Sequence, residues 1–124
     1  MEIVIADGRP ETRSALQLLL AEEPDMRVVA EAHDADSLLA AVRVHLPDVV
    51  LADWELPDAR PVDDRDGSLP VEVSHASPRT RFIALSVRVE AHRLALAAGA
   101  DAFVSKCESP KRLIGALRST NGKD

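Results

Sequence analysis

Between residues 47 and 57 the chain reads Pro-Asp-Val-Val-Leu-Ala-Asp-Trp-Glu-Leu-Pro. The run Val49 to Ala52 is apolar without alternation. A strand built from it has both faces buried, as in a parallel sheet covered by helices on each side. The run stops on the carboxylate of Asp53, and Leu56-Pro57 follows as a turn signal. Ligands of open α/β sheets collect at the carboxyl ends of the strands, so Asp53 is predicted at the edge where chemistry is done.

The rest of the chain supplies partners for that strand. Glu2 to Ala6 is a short apolar segment ending on Asp7, and Pro10 suits the first turn of a helix burying Leu16, Leu19 and Leu20. Met26 to Ala32 reads as a second strand. Asp34 is placed to cap a helix whose Ala35, Leu38, Leu39, Val42 and Leu46 keep a helical period. Beyond Asp53, Arg81 to Ser86 and Asp101 to Ser105 read as two further strands. A helix over 89–98, with Ala91, Leu94, Ala95 and Ala98 on its buried side, is stopped by Gly99. Ser109-Pro110 opens a last helix burying Leu113, Ile114 and Leu117. Strand and helix patterns alternate, which implies an α/β fold, a doubly wound five-stranded parallel sheet.

Residues 57–80 break the pattern. Pro57, Pro61, Pro70 and Pro78 fall there with the polar cluster Asp63 to Gly67, and Pro70, Val71 and Val73 disfavour a helix. A short or distorted third helix is the most that fits, and 58–78 is expected to be the least ordered segment.

Composition narrows the function. With 46% apolar residues in 124, the chain is one globular domain, and Trp54, Phe82 and Phe103 are its only aromatic rings other than histidines. No apolar run reaches membrane-spanning length, and no signal-peptide layout is present. A lone cysteine, Cys107, fits a reducing cytoplasm and reads as an inert thiol. His33, His45, His75 and His92 lack metal-ligand spacing and read as solvated, and no glycine-rich phosphate loop occurs. Residues 1–60 carry 13 acidic and 5 basic side chains, net −8, which argues against a nucleic-acid surface there. Residues 79–123 carry 9 basic and 3 acidic side chains. They form either a protein-docking face, in which Arg112 and Arg118 are the charges to test, or a solvated surface.

Four of the five strands therefore end on a functional group: Asp7, Asp53, Ser86 and Lys106. Parallel strands bring all four to one edge. The set suits acyl phosphate formation, with a carboxylate nucleophile, a second carboxylate for a divalent cation, and a hydroxyl and an ammonium for phosphoryl oxygens. Phosphoryl transfer asks mainly for positioning and charge neutralisation, which such groups supply.

Ile5-Ala-Asp7, Asp53-Trp-Glu-Leu-Pro57, Ser86, Ala97-Ala-Gly-Ala100 and Phe103-Val-Ser-Lys106 together resemble the receiver domain of bacterial response regulators. The likeness runs over residues 1–119, leaving 120–124 as a tail. Pro10 after Ala6-Asp7 is most similar to the NarL/FixJ type, whose members carry a C-terminal helix-turn-helix output domain. The resemblance implies a flavodoxin-like fold with strand order 2-1-3-4-5. It also implies Asp53 as phosphoacceptor from a histidine kinase in a two-component system, Ser86 as switch hydroxyl and Lys106 as the conserved cation. A Mg²⁺ site would draw on Asp7, Asp53 and the backbone or side chain of Glu55. Phe103 stands at the aromatic switch position. Glu55 and Arg88 are either solvated charges or, flanking the pocket, groups that tune phosphoaspartate hydrolysis. The 89–118 face would serve a homodimer or an output domain. One departure bears on the metal: Gly8 stands where the family has a second acid, so Mg²⁺ binding is expected to be weakened. The contrasting expectation is a pseudo-receiver, with little or no phosphorylation, acting as an interaction module.

Overall fold

The computed structural model describes residues 1–57 and 67–119. Five strands and five helices alternate along the chain: β1 (Glu2–Ala6), α1 (Pro10–Ala21), β2 (Arg27–Ala32), α2 (Ala35–His45), β3 (Val49–Asp53), α3 (Leu69–Ala76), β4 (Arg81–Ser86), α4 (Ala91–Ala97), β5 (Ala102–Ser105) and α5 (Pro110–Ser119). The strands form one parallel sheet in the order β2-β1-β3-β4-β5. The predicted doubly wound sheet and its order are therefore present.

Side chains alternate across each strand, and this divides the core in two. Ile3, Ile5, Val49, Leu51, Ile83, Leu85 and Val104 pack with Leu20, Leu113 and Leu117, so α1 and α5 cover that face. Val4, Ala6, Val50, Ala52, Phe82 and Ala84 pack with Leu38, Leu39, Val42, Leu69, Val73 and Ala95, so α2, α3 and α4 cover the other. Register then sets the functional edge. Ala6 lies opposite Ala52, Asp53 opposite Leu85, and Ser86 opposite Ser105, so the residues closing β1, β3, β4 and β5 end at nearly one level.

Helix boundaries follow local chemistry. Asp34 Oδ1 accepts from Ser37 N–H at 2.8 Å while Ser37 Oγ accepts from Asp34 N–H at 3.2 Å, a reciprocal cap on α2. Gly99, with φ of +112°, follows α4 in a conformation that costs glycine little. Two expectations need correction, and the short third helix that the sequence allowed is present. Leu46 is not part of the buried stripe: it is the α2 cap residue, left-handed at φ +45° and 61% exposed. α4 begins at Ala91 rather than at residue 89, and Leu94 faces solvent while Ala91, Ala95 and Ala98 are buried. Leu69–Ala76 forms a short helix with Val73 fully buried. Pro70 sits in its first turn, where a missing N–H breaks no bond, so the residue read as a breaker helps to start the helix. The expectation of low order for 58–66 lies outside the described residues.

Candidate functional site

Strand alternation selects who meets whom at the edge. Asp7 continues the series Ile3-Ile5, Asp53 the series Val49-Leu51, and Lys106 follows Val104 on the same side. Lys106 Nζ lies 2.9 Å from Asp7 Oδ2 and 3.5 Å from Asp53 Oδ1, bridging the two carboxylates. Asp7 and Asp53 are largely buried. Backbone donors fix each one: Arg9 N–H donates to Asp7 Oδ1 at 2.8 Å, and Glu55 N–H donates to Asp53 Oδ1 at 3.1 Å. Trp54 N–H reaches Leu85 O at 2.7 Å and Lys106 N–H reaches Ser86 O at 2.9 Å, which ties the loops after β3 and β5 to β4. Among the described residues nothing hydrogen-bonds Asp53 Oδ2, so that oxygen keeps its lone pairs available.

Burial pushes the Asp53 carboxyl above its ordinary value. The Glu55 N–H and the Lys106 ammonium work against the shift, whereas the Asp7 and Glu55 carboxylates add to it. An ionised Asp53 is thus an anion short of solvation, held in place by one shared cation.

Ser86 falls on the other side of the sheet, in series with Phe82 and Ala84, and does not join the acidic pair. Its hydroxyl donates to Glu55 Oε1 at 3.0 Å, and its Oγ accepts from Arg88 N–H at 3.0 Å. Arg88 closes the group with Nη2 at 2.9 Å from Glu55 Oε2. Glu55 and Arg88, open in the sequence between solvation and a role at the site, thus meet over Ser86. Their shared offset of two residues past Asp53 and Ser86 was the only sequence trace of this. Phe103 is half-buried and stacks on the His92 imidazole, with ring centroids 4.9 Å apart and planes 14° apart. His92, read as a solvated histidine, is exposed but has this contact, which its sequence position did not reveal.

Among the described residues no group of three or more His, Cys, Asp and Glu side chains is arranged for a metal. The Glu55 carboxylate is turned to Ser86 and Arg88 rather than to Asp7. The remaining donors, two carboxylates with Asp53 Oδ2 uncommitted, still fit Mg²⁺, which binds through one or two carboxylates and completes its shell with water and phosphate oxygens. Gly8 has a steric side as well: a Cβ there would lie 3.1 Å from Pro57 Cγ and 3.2 Å from Pro57 Cδ.

A doubly wound parallel sheet whose carboxyl edge carries a lysine-bridged aspartate pair defines a class, the acid-pocket α/β domains. The response regulator receiver domain profile matches residues 3–118, and the chain belongs to that family. It is 31% identical over 121 residues to the transcriptional regulatory protein SgaR of Hyphomicrobium methylovorum, covering 96% of this chain and 55% of that protein. To the oxygen regulatory protein NreC of Staphylococcus epidermidis it is 30% identical over 122 residues, covering 96% and 54%. The signal receiver domain of the response regulator NarL from Mycobacterium tuberculosis superposes with a TM-score of 0.81 at 26% identity, covering 95% of this chain and 93% of that one. The chain spans about half the length of the curated relatives it matches.

Proposed function

We propose that Asp53 is the phosphoacceptor of a two-component system, that its donor is the phosphohistidine of a histidine kinase, and that the chain signals by a changed surface rather than by turnover of a substrate. The observation that carries this reading is the Lys106 bridge, which holds an otherwise repelling pair of buried carboxylates at the sheet edge and leaves Asp53 Oδ2 uncommitted. In the transfer, Oδ2 attacks phosphorus, the P–N bond of the donor breaks and its electron pair returns to the imidazole. The product is an acyl phosphate. Lys106 Nζ offsets charge on the phosphoryl oxygens, and the Ser86 hydroxyl, once released from Glu55, would donate to one of them. Asp7 and Asp53 are the side chains that would hold Mg²⁺, which supplies further charge neutralisation when bound. The missing acid at Gly8 makes that binding weak.

The domain is read as residues 1–119, working in the cytoplasm; no helix among the described residues is long and apolar enough to cross a membrane. The relatives named as transcriptional regulators support an output on gene expression, passed through the 89–118 face to a second copy or an output domain rather than by direct nucleic-acid contact. Exposed Val89, Leu94 and Leu96 on that face support the assignment. Mass spectrometry after incubation with a small phosphodonor and Mg²⁺ tests the core of it. Wild type gains one phosphoryl group and Asp53→Asn gains none; an unmodified wild type would favour the pseudo-receiver instead.

A further inference from the structure

A serine hydroxyl has one proton to donate, and the proton of Ser86 is already committed. Ser86 Oγ lies 3.0 Å from Glu55 Oε1 and 3.3 Å from Oε2, so either oxygen of one carboxylate accepts it. The Arg88 guanidinium holds that carboxylate from the far side, with Nη2 at 2.9 Å and Nε at 3.3 Å from Oε2. Arg88 N–H donates to Ser86 Oγ at 3.0 Å, which orients the hydroxyl from behind. Ser86 is fully buried, whereas the Glu55 and Arg88 side chains are 40% and 52% exposed.

We propose that Glu55 and Arg88 form a latch on Ser86. Glu55 is a competing acceptor that keeps the switch hydroxyl off Asp53, and Arg88 is a positioning residue that keeps Glu55 there. The inference rests on the reading of Asp53 as phosphoacceptor and adds what restrains its response. A charged acceptor makes a stronger hydrogen bond than a neutral one, so the hydroxyl leaves Glu55 only for another anion, and a phosphoryl group on Asp53 is one. The Glu55–Arg88 pair itself is exposed and therefore weakly held, which lets the latch open without unfolding its surroundings. Glu55 thereby sets a threshold on the switch.

Simple repulsion by the Glu55 charge would also disfavour a phosphoryl group, so the test separates charge from hydrogen bond. Beryllofluoride, a non-covalent mimic of the acyl phosphate, is titrated at saturating Mg²⁺ into wild type, Glu55→Gln, Glu55→Ala, Ser86→Ala and the Glu55→Ala/Ser86→Ala double variant. Trp54 fluorescence reports binding, and circular dichroism verifies each fold. Glu55→Ala, which removes acceptor and charge, is expected to bind about tenfold tighter than wild type. Glu55→Gln keeps a neutral acceptor and should gain less. Most of the gain from Glu55→Ala should vanish in the Ser86→Ala background, and that coupling is the signature of a latch. A gain of equal size with and without the Ser86 hydroxyl overturns the proposal and leaves Asp53 as phosphoacceptor intact. Absence of binding in wild type and every variant, with all folds intact, overturns both.

Discussion

Asp53 is both the reactive group and a burden on the fold. Its folded-state pKa is raised, chiefly by burial, so the folded chain holds that proton more tightly than the unfolded chain does. The stability it contributes is full below the unfolded carboxylate pKa and is lost as pH rises through the raised folded value. At neutral pH the ionised carboxylate therefore opposes folding. Asp53→Asn should melt a few degrees above wild type at pH 7, and the gap should close as pH falls through the raised pKa; melting curves over pH 3–8 check this. Gly8 is the second residue with a definite expectation. With Pro57 Cγ 3.1 Å from a would-be Cβ, Gly8→Asp alone strains the β1–α1 turn by about 1 kcal/mol. Gly8→Asp with Pro57→Ala relieves the contact and adds a carboxylate beside Asp7. Mg²⁺ titrations read by Trp54 fluorescence should give markedly tighter binding in that double variant than in wild type. Equal affinities would show that the missing acid is not what weakens the site.

At the level of elements, α3 is the informative piece. It has eight residues, one of them Pro70 in the first turn. Propensity would not sustain so short a helix; packing does. Leu69 and Val73 enter the core beside α2 and β4, and the Ser68 hydroxyl donates to Ala98 O at 2.8 Å, tying the start of α3 to the end of α4. Val73→Ala should cost about 2 kcal/mol from lost burial and the cavity left behind. In hydrogen exchange the amides of the last turn of α3, near Val73 and Ala76, should show protection that this substitution removes. Unprotected amides there in wild type would restore the expectation of a disordered segment.

For the whole molecule the question is which face carries the signal outward. The basic excess over residues 79–123 is partly spent inside the domain. Arg118 Nη2 lies 2.6 Å from Glu23 and 2.9 Å from Asp25, and Arg112 Nε lies 3.0 Å from Glu108. Reversing the charge of Arg118 would therefore loosen α5 from the α1–β2 turn, which makes it a poor probe of partner binding. Val89, just before α4, and Leu96, within it, are 72% and 42% exposed and are better. Val89→Glu and Leu96→Glu should leave melting temperature and beryllofluoride binding unchanged. They should abolish any dimer that beryllofluoride induces in wild type, measured by sedimentation velocity. If both variants associate as wild type does, the signalling face lies elsewhere.

How far the sequence alone reached depended on the range of the interactions. Alternation and helical period are local, so the five strands, the burial of Val49 to Ala52 on both faces and the acids closing β1 and β3 were all readable from neighbouring residues. Which strand faces match is not local: the register puts Ile3-Ile5-Asp7 with Val49-Leu51-Asp53 on one side and Phe82-Ala84-Ser86 on the other, so Ser86 parts from the acids that the sequence grouped it with. Leu46, Leu94 and the start of α3 were misread because a helix end or an exposed flank is decided by what packs against it. Glu55 on Ser86, His92 on Phe103 and Arg118 on Asp25 join residues 31, 11 and 93 positions apart. No local pattern encodes such pairs. They exist because the sheet order brings β3 beside β4 and the α4 and α5 helices back over it, so only the tertiary structure could decide them.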